Sequence, residues 1–223
     1  MQPDRIQAWD VSPNHSAVVE IDYVTGEMLW HSFAQTKIRA HAKCKDSFLL
    51  PEHEKVGKAV KSCTRILELL PIFRAWAARP NVALIAIEDY AMGAAQGAHF
   101  IGEIGGLARL AAFERKIPVR LWGLKSIKKF LTTSGNATKP QMKESAIKAS
   151  ALFNYGAIAD EDLCDAFGLA KLVHAEMRLR ITNDTKFLQA HEKDVLTRKM
   201  DDGTMVYQRP LLMPFAGTPI SCT

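Results

Sequence analysis

Residues 81–88, NVALIAIE, form a continuous apolar run closed by an acid. A strand with one wet face alternates apolar and polar residues. A run that is apolar at every position belongs to a strand covered on both sides. Such strands sit in parallel or mixed sheets between layers of helix, and neighbouring parallel strands need a crossover to join them. This short segment therefore commits the chain to a layered α/β fold.

The flanking sequence supplies the other parts of that fold. RIQAWD (5–10) reads as a short strand that also ends in an acid, and SAVVEIDY (16–23) as a β-branched strand turned by Thr25-Gly26. EMLWHSFA (27–34) alternates again, so residues 5–34 predict a three-stranded antiparallel meander. A polar connector over 35–50 follows. Val56, Val60, Cys63, Ile66, Leu67 and Leu70 recur at helical spacing and predict a helix that starts near Pro51 and ends or kinks at Pro71. Residues 98–115 are helical in period despite Gly102, Gly105 and Gly106, each costing about 1 kcal/mol against Ala. Glycines there permit a close approach, either onto the sheet or at a helix–helix seam between two subunits. IPVRLWG (117–123) predicts a strand, LKSIKKFLT (124–132) a short basic helix, and QMKESAIKASALF (141–153) a further helix. The last core helix starts within ADEDLCDAFGLA (159–170) and runs to about Arg180.

Three strands, helix, strand, helix, strand and helices make a mixed sheet, a meander extended by parallel strands and flanked by helices. The expected organisation is one domain over 1–180 and a C-terminal extension over 181–223. In the extension, KMDDGTMVYQ carries an Asp-Gly hairpin signal, and RPLLMPFAGTP is too rich in proline for regular structure.

Composition removes several classes of function. With 223 residues, 48% of them hydrophobic, the chain supports one substantial core. No apolar run approaches the roughly 20 residues that span a bilayer, and MQPDRIQAWD lacks a signal-peptide pattern. Cys44, Cys63, Cys164 and Cys222 form no CxxC pair, which predicts reduced thiols in a cytoplasmic protein. His41, Cys44 and His53 lack a fourth partner at zinc-like spacing. The net charge is +5, and residues 115–150 carry nine Lys or Arg against one acid, Glu144. That segment includes Lys125, Lys128, Lys129, Lys139 and Lys143 and surrounds the loop TTSGNATK, as expected of a phosphate-facing surface.

The acids give the chemistry. Asp10 ends the first strand and Glu88 the central one; parallel neighbours bring their carboxyl ends to one sheet edge, where open α/β sheets bind ligands. Asp162 and Asp165 lie three apart at the start of the last helix and share a face. Four carboxylates meeting there repel one another unless a divalent cation or protons intervene. Paired ions at such a site support phosphodiester hydrolysis. Each acid also has a plainer role open to it: Asp10 in a turn, Glu88 in an ion pair, and Asp160 and Glu161 as helix-starting acids. An unpaired Asp165, one turn into an apolar helix, is the costliest to explain that way.

In this order the motifs resemble the RuvC-like Holliday junction resolvases of the RNase H-like superfamily. Asp10 after its strand, IAIEDYAMGAAQGAHFIGEIGGLARLAAFERKIPV, SIKKFLTTSGNATKPQM with its G-x-A-x-K loop, and DEDLCDAFGLA with its D-x-x-D-A-x-x-x-A pattern carry the resemblance over most of residues 5–177. It implies an RNase H-like fold and a carboxylate tetrad of Asp10, Glu88, Asp162 and Asp165 holding Mg²⁺ or Mn²⁺. It implies a homodimer seam at Gly102, Gly105 and Gly106, and phosphate contacts from Lys128 and Lys139. The family's aromatic residue near the junction centre is matched most nearly by Tyr90, one position out of register; the plainer role for Tyr90 is packing on the loop that follows. The implied activity is that of a divalent-metal-dependent endonuclease resolving four-way or other branched DNA, with no nucleotide cofactor and no membrane partner.

The chain also departs from the family. DVSPNHS replaces the family's Asp-Pro-Gly after the first acid, so Ser12–Asn14 must make the turn. The connector and the extension fit a phage-borne or otherwise mobile member. A junction-binding protein with a decayed site is the alternative reading. Sugar kinases and actin-like ATPases share the fold but need a glycine-rich phosphate loop after the first Asp, which DVSPNHS lacks.

Overall fold

The computed structural model describes residues 4–37, 46–52, 58–89, 98–150, 160–199 and 205–207. Tyr90, the His41/Cys44/His53 group, much of the connector and the proline-rich tail lie outside them. The meander is β1 (Arg5–Asp10), β2 (His15–Asp22) and β3 (Met28–Gln35), antiparallel throughout. On its far side β4 (Phe48–Leu49) adds a short parallel pairing to β3, an element the polar connector did not announce. On its near side β5 (Val82–Asp89) lies parallel to β1, and β6 (Val119–Gly123) parallel to β5. The sheet order is β4-β3-β2-β1-β5-β6, the RNase H-like arrangement expected.

Helices cover both faces. On one side are α1 (Lys58–Ala77) and α2 (Ala98–Glu114); on the other α5 (Glu161–Thr182), with α3 (Leu124–Thr132) and α4 (Lys139–Ser150) packed against it. The alternating pleat sorts each strand's side chains between two cores. Ile6 and Ala8 of β1, with Leu84 and Ala86 of β5, join the core under α5. Trp9, Ile85 and Ile87 join the core under α1 and α2. This explains why β5 is apolar at every position.

Two expectations about α1 need correction. Pro51 and Glu52 are not helical, and the described helix begins at Lys58. The Pro51 carbonyl oxygen instead accepts from Arg65 Nη2 at 2.9 Å. Pro71 does not end the helix, which continues to Ala77. The turn after the proline buries Ile72, Phe73 and Trp76, and Trp9 meets Trp76 edge-on at 5.6 Å. Burying aromatic surface there outweighs one lost backbone hydrogen bond.

Helix α5 is fixed at both ends and along its middle. Asp160 caps its start by accepting from the Asp162 and Leu163 backbone N–H groups. Near its end, Glu176 Oε2 accepts from Arg120 Nε and Trp122 Nε1, each at 2.8 Å, which ties the helix to β6 inside the core. At Gly168 it runs so close to α3 that an added Cβ would stand 3.2 Å from Leu131 Cδ2 and 3.3 Å from Ile127 Cγ2. That approach brings the basic helix α3 beside the start of α5.

Past α5 come α6 (Ala190–Leu196) and the hairpin strands β7 (Thr197–Lys199) and β8 (Met205–Tyr207), paired antiparallel on either side of the Asp-Gly signal. Leu188, Val195 and Leu196 join the core under α5.

Replacing Gly168 by valine overpacks the α3–α5 contact and should cost about 1–3 kcal/mol. Urea unfolding measures it; an unchanged midpoint would contradict the close approach.

Candidate active site

Asp10 continues the Ile6–Ala8 face of β1, and Glu88 continues the Leu84–Ala86 face of β5. Trp9 pairs with Ile87, so these two acids leave the parallel ladder side by side, on the face that α5 covers. The first turn of α5 reaches the same edge. One carboxylate oxygen from each of Asp10, Asp162 and Asp165 lies within 4.8 Å of the others. Glu88 is not part of that mutual group but stands close enough for its charge to act on Asp10. The structure thus gathers three of the expected acids tightly and sets the fourth beside them.

The cost of this arrangement appears in the proton affinities. Burial, then the charges of Glu88, Asp162 and Asp165, hold the Asp10 carboxyl well above the ordinary carboxylate range. Burial and then the Asp165 charge push Glu88 to about 7, against the opposing pull of Lys128. Asp165 rises to about 6, chiefly through burial, with Lys139 and Lys128 opposing. The raised carboxyls and their common focus fit a divalent cation, whose charge replaces the protons they otherwise retain. Asp10, Asp162 and Asp165 are the residues placed to hold it, with Glu88 adjoining.

Asp160 and Glu161 take the plainer roles. Asp160 is fully buried as the helix cap, and Glu161 accepts from Lys139 Nζ at 2.8 Å. Among the expected phosphate-binding lysines, Lys128 and Lys139 act on the acids electrostatically. Lys129 pairs with Asp194 of α6, Lys125 is exposed on α3, and Lys143 is half-buried on α4, near Cys164.

The turn after Asp10 is sound without glycine. Ser12 Oγ donates to the His15 carbonyl at 2.6 Å and accepts from the His15 N–H at 3.0 Å, while Ser16 Oγ donates to the Ser12 carbonyl at 2.7 Å. Next to it lies a cavity of about 200 Å³ lined by Asp10, Val11, Ser12, Glu88, Ile101 and Gly105. A larger cleft, about 430 Å³, lies at the opposite edge around Arg79–Val82 and Glu114–Ile117, away from the carboxylates. Gly105 and Gly106 have no atom within 4 Å of an added Cβ, so packing on the sheet does not require either glycine. Gly102 sits half-buried on the same helix.

His15 is the site residue that the sequence did not single out. Its Nδ1 lies 2.5 Å from Asp162 Oδ2, and its Nε2 lies 3.1 Å from Gln35 Oε1. In the sequence it is one polar residue inside a turn.

The family model for crossover junction endodeoxyribonuclease RuvC matches residues 53–174. The chain belongs to the RuvC family. Membership makes it a junction-resolving DNA nuclease of recombination and repair, and the acidic cluster agrees with the family's dependence on a divalent metal. The Thermus thermophilus RuvC structure superposes with a TM-score of 0.57 at 16% identity, covering 78% of this chain and 96% of that one. T. thermophilus RuvC in complex with a Holliday junction substrate gives 0.56 at 15% identity, with the same coverage. These likenesses carry the RNase H-like fold. No curated protein matches the chain in sequence. No helix among the described residues is long and apolar enough to cross a membrane.

The raised carboxyls set the sign of a pH effect on the metal-free protein. Unfolded, Asp165 and Glu88 lose their protons near 3.8 and 4.5; folded, they keep them to about 6 and 7. Between those limits the folded state binds more protons, so its stability falls as pH rises. The melting temperature in chelator should drop from about pH 4.5 to pH 7. Asp165→Asn should make that drop shallower; an equally steep drop in the variant would contradict the shift assigned to Asp165.

Proposed function

We propose that this RuvC-family chain is a homodimeric nuclease that nicks four-way DNA junctions, with Asp10, Glu88, Asp162 and Asp165 as its metal-holding carboxylates. The observation that carries this reading is the convergence of three carboxylates from two separate elements, β1 and α5, at the edge where β5 delivers Glu88. A bound divalent cation, Mg²⁺ or Mn²⁺, supplies a water of lowered pKa and neutralises charge on the scissile phosphate. The chain's own groups do the positioning. Asp10 and Asp165 fix the cation side, and Lys128 and Lys139 contact phosphates beside the cut. Lys125, Lys129 and Lys143 extend the basic surface along α3 and α4, and Tyr90 serves near the junction centre.

The dimer reading rests on α2. Gly102, Gly106 and Leu110 recur at four-residue spacing on one stripe, Leu110 is exposed, and Gly106 has open space where a side chain would be. A second helix can approach such a stripe closely. Symmetric nicking of a four-way junction needs two sites, and a two-fold dimer provides them. A DNA substrate places the protein inside the cell, and the connector and C-terminal extension fit a phage-borne member. The alternative, a junction-binding protein with a decayed site, loses its support with the intact turn at Ser12–Ser16.

Asp165→Asn should abolish cleavage of a labelled four-way junction in Mg²⁺, a loss on the order of a hundredfold or more, while the junction is still shifted on a native gel. Duplex, flap and single-strand controls report the preference among branched substrates. Cleavage at the wild-type rate by the variant would remove Asp165 from the site.

A further inference from the structure

Gly105 is a buried residue of α2 that the fold itself does not call for. Glycine inside a helix weakens it relative to alanine. Neither of the usual reasons offsets that loss here. The backbone at Gly105 is not left-handed, since Gly26 is the described glycine with positive φ. Among the described residues no atom lies within 4 Å of where its Cβ would stand, so no close approach requires it. A buried position with nothing beside it borders a void. That void is the cavity of about 200 Å³ which Gly105 lines together with Ile101, Val11, Ser12, Asp10 and Glu88.

The walls of this cavity differ in chemistry. Asp10 and Glu88 form one part, at the ends of their parallel strands. Ile101 and Gly105, four residues apart, share a face of α2 and form another. Gly106 lies about 100° further round the helix, on the stripe with Gly102 and Leu110. The remainder is the turn after β1. Val11 is buried there. Ser12 donates its N–H to Ser16 Oγ at 2.9 Å and its hydroxyl to the His15 carbonyl, while its own carbonyl accepts from Ser16 Oγ. The polar groups of Ser12 are thus committed within the turn. Beyond the two acids, the cavity offers apolar surface and room.

A phosphodiester brought to these acids carries a nucleoside on each side, bonded directly through oxygen. The group that enters a cavity sharing Asp10 and Glu88 with the site is therefore a flanking nucleoside. Its uncharged sugar and base can lie on Ile101 and the bare Gly105, whereas a second phosphate there would face the acids. We propose that this cavity receives the nucleoside bonded to the scissile phosphate, and that Gly105 is a positioning residue, bare so as to leave it room. The subsite reads size and not a pattern of donors and acceptors, because the polar groups of Ser12 are already paired. This inference rests on the reading that Asp10 and Glu88 belong to the cleavage site, and it adds the surface that seats the strand across them.

The test fills the cavity and then shrinks the substrate. In the full chain with Mg²⁺, cleavage of a four-way junction should fall from wild type to Gly105→Ala to Gly105→Val, reaching a loss on the order of a hundredfold. Gly105→Ala should melt no lower than wild type, and both variants should elute as wild type does in gel filtration. Replacing the nucleoside on one side of the cut by an abasic or propyl spacer, on each side in turn, should return Gly105→Val to the wild-type rate on the same spacer junction. A role confined to helix or subunit packing would not respond to the substrate in this way. Gly105→Ala carries the same comparison at smaller amplitude, so the outcome does not depend on whether the valine variant folds. Variants that match wild type on the unmodified junction, a loss that no spacer on either side recovers, or a lower melting temperature in Gly105→Ala would each overturn the subsite alone. A wild type that leaves the unmodified junction uncut overturns the nuclease reading, and the subsite with it.

Discussion

Mutual repulsion among Asp10, Glu88, Asp162 and Asp165 is the constraint around which this molecule is organised. The acids are drawn together at a partly buried edge, and Asp10, Glu88 and Asp165 answer by holding protons well above the usual carboxylate range. Left alone they would separate. The parallel β1–β5 ladder prevents this on one side, because its register fixes Asp10 beside Glu88. Helix α5 prevents it on the other, because its cap at Asp160 sets where Asp162 and Asp165 point. A site that is strained when empty and relieved by a cation is pre-organised for binding one.

Much of the remaining structure serves to hold α5 in place. The buried Arg120–Glu176–Trp122 contacts pin its far half to β6. The bare Gly168 lets α3 approach, so that Lys128 reaches the field of Glu88 and Asp165. The cationic surface expected to meet DNA and the acids expected to hold metal are thus positioned by one helix. A shift of that helix would disturb both, which links core packing directly to function.

The sequence exposed the features that depend on periodicity and spacing. The continuous apolar run at 81–88 placed β5 between two helical layers, and the three-residue spacing of Asp162 and Asp165 placed them on one face. Other features depend on partners far along the chain. Pro71 reads locally as a stop or a kink, and the burial of Phe73 and Trp76 carries α1 past it. Strand β4 exists through pairing with β3, which a polar connector does not signal. His15 carries no local sign of its place: it meets Asp162, almost 150 residues later, because β2 and the start of α5 share an edge. The open space beside Gly105 and Gly106 of α2 is likewise invisible in the helical spacing that placed them.

The central claim is that these carboxyls retain protons where a metal belongs, so binding the metal must release them. Calorimetric titration of Mg²⁺ into the metal-free chain at pH 6.5, in two buffers of different ionisation enthalpy, measures that release. The account predicts about one proton freed per chain from Glu88 and Asp165 together, a share that is lost at pH 8.5, where both are already ionised. Equal heats in the two buffers at pH 6.5, or no binding of Mg²⁺, would contradict it.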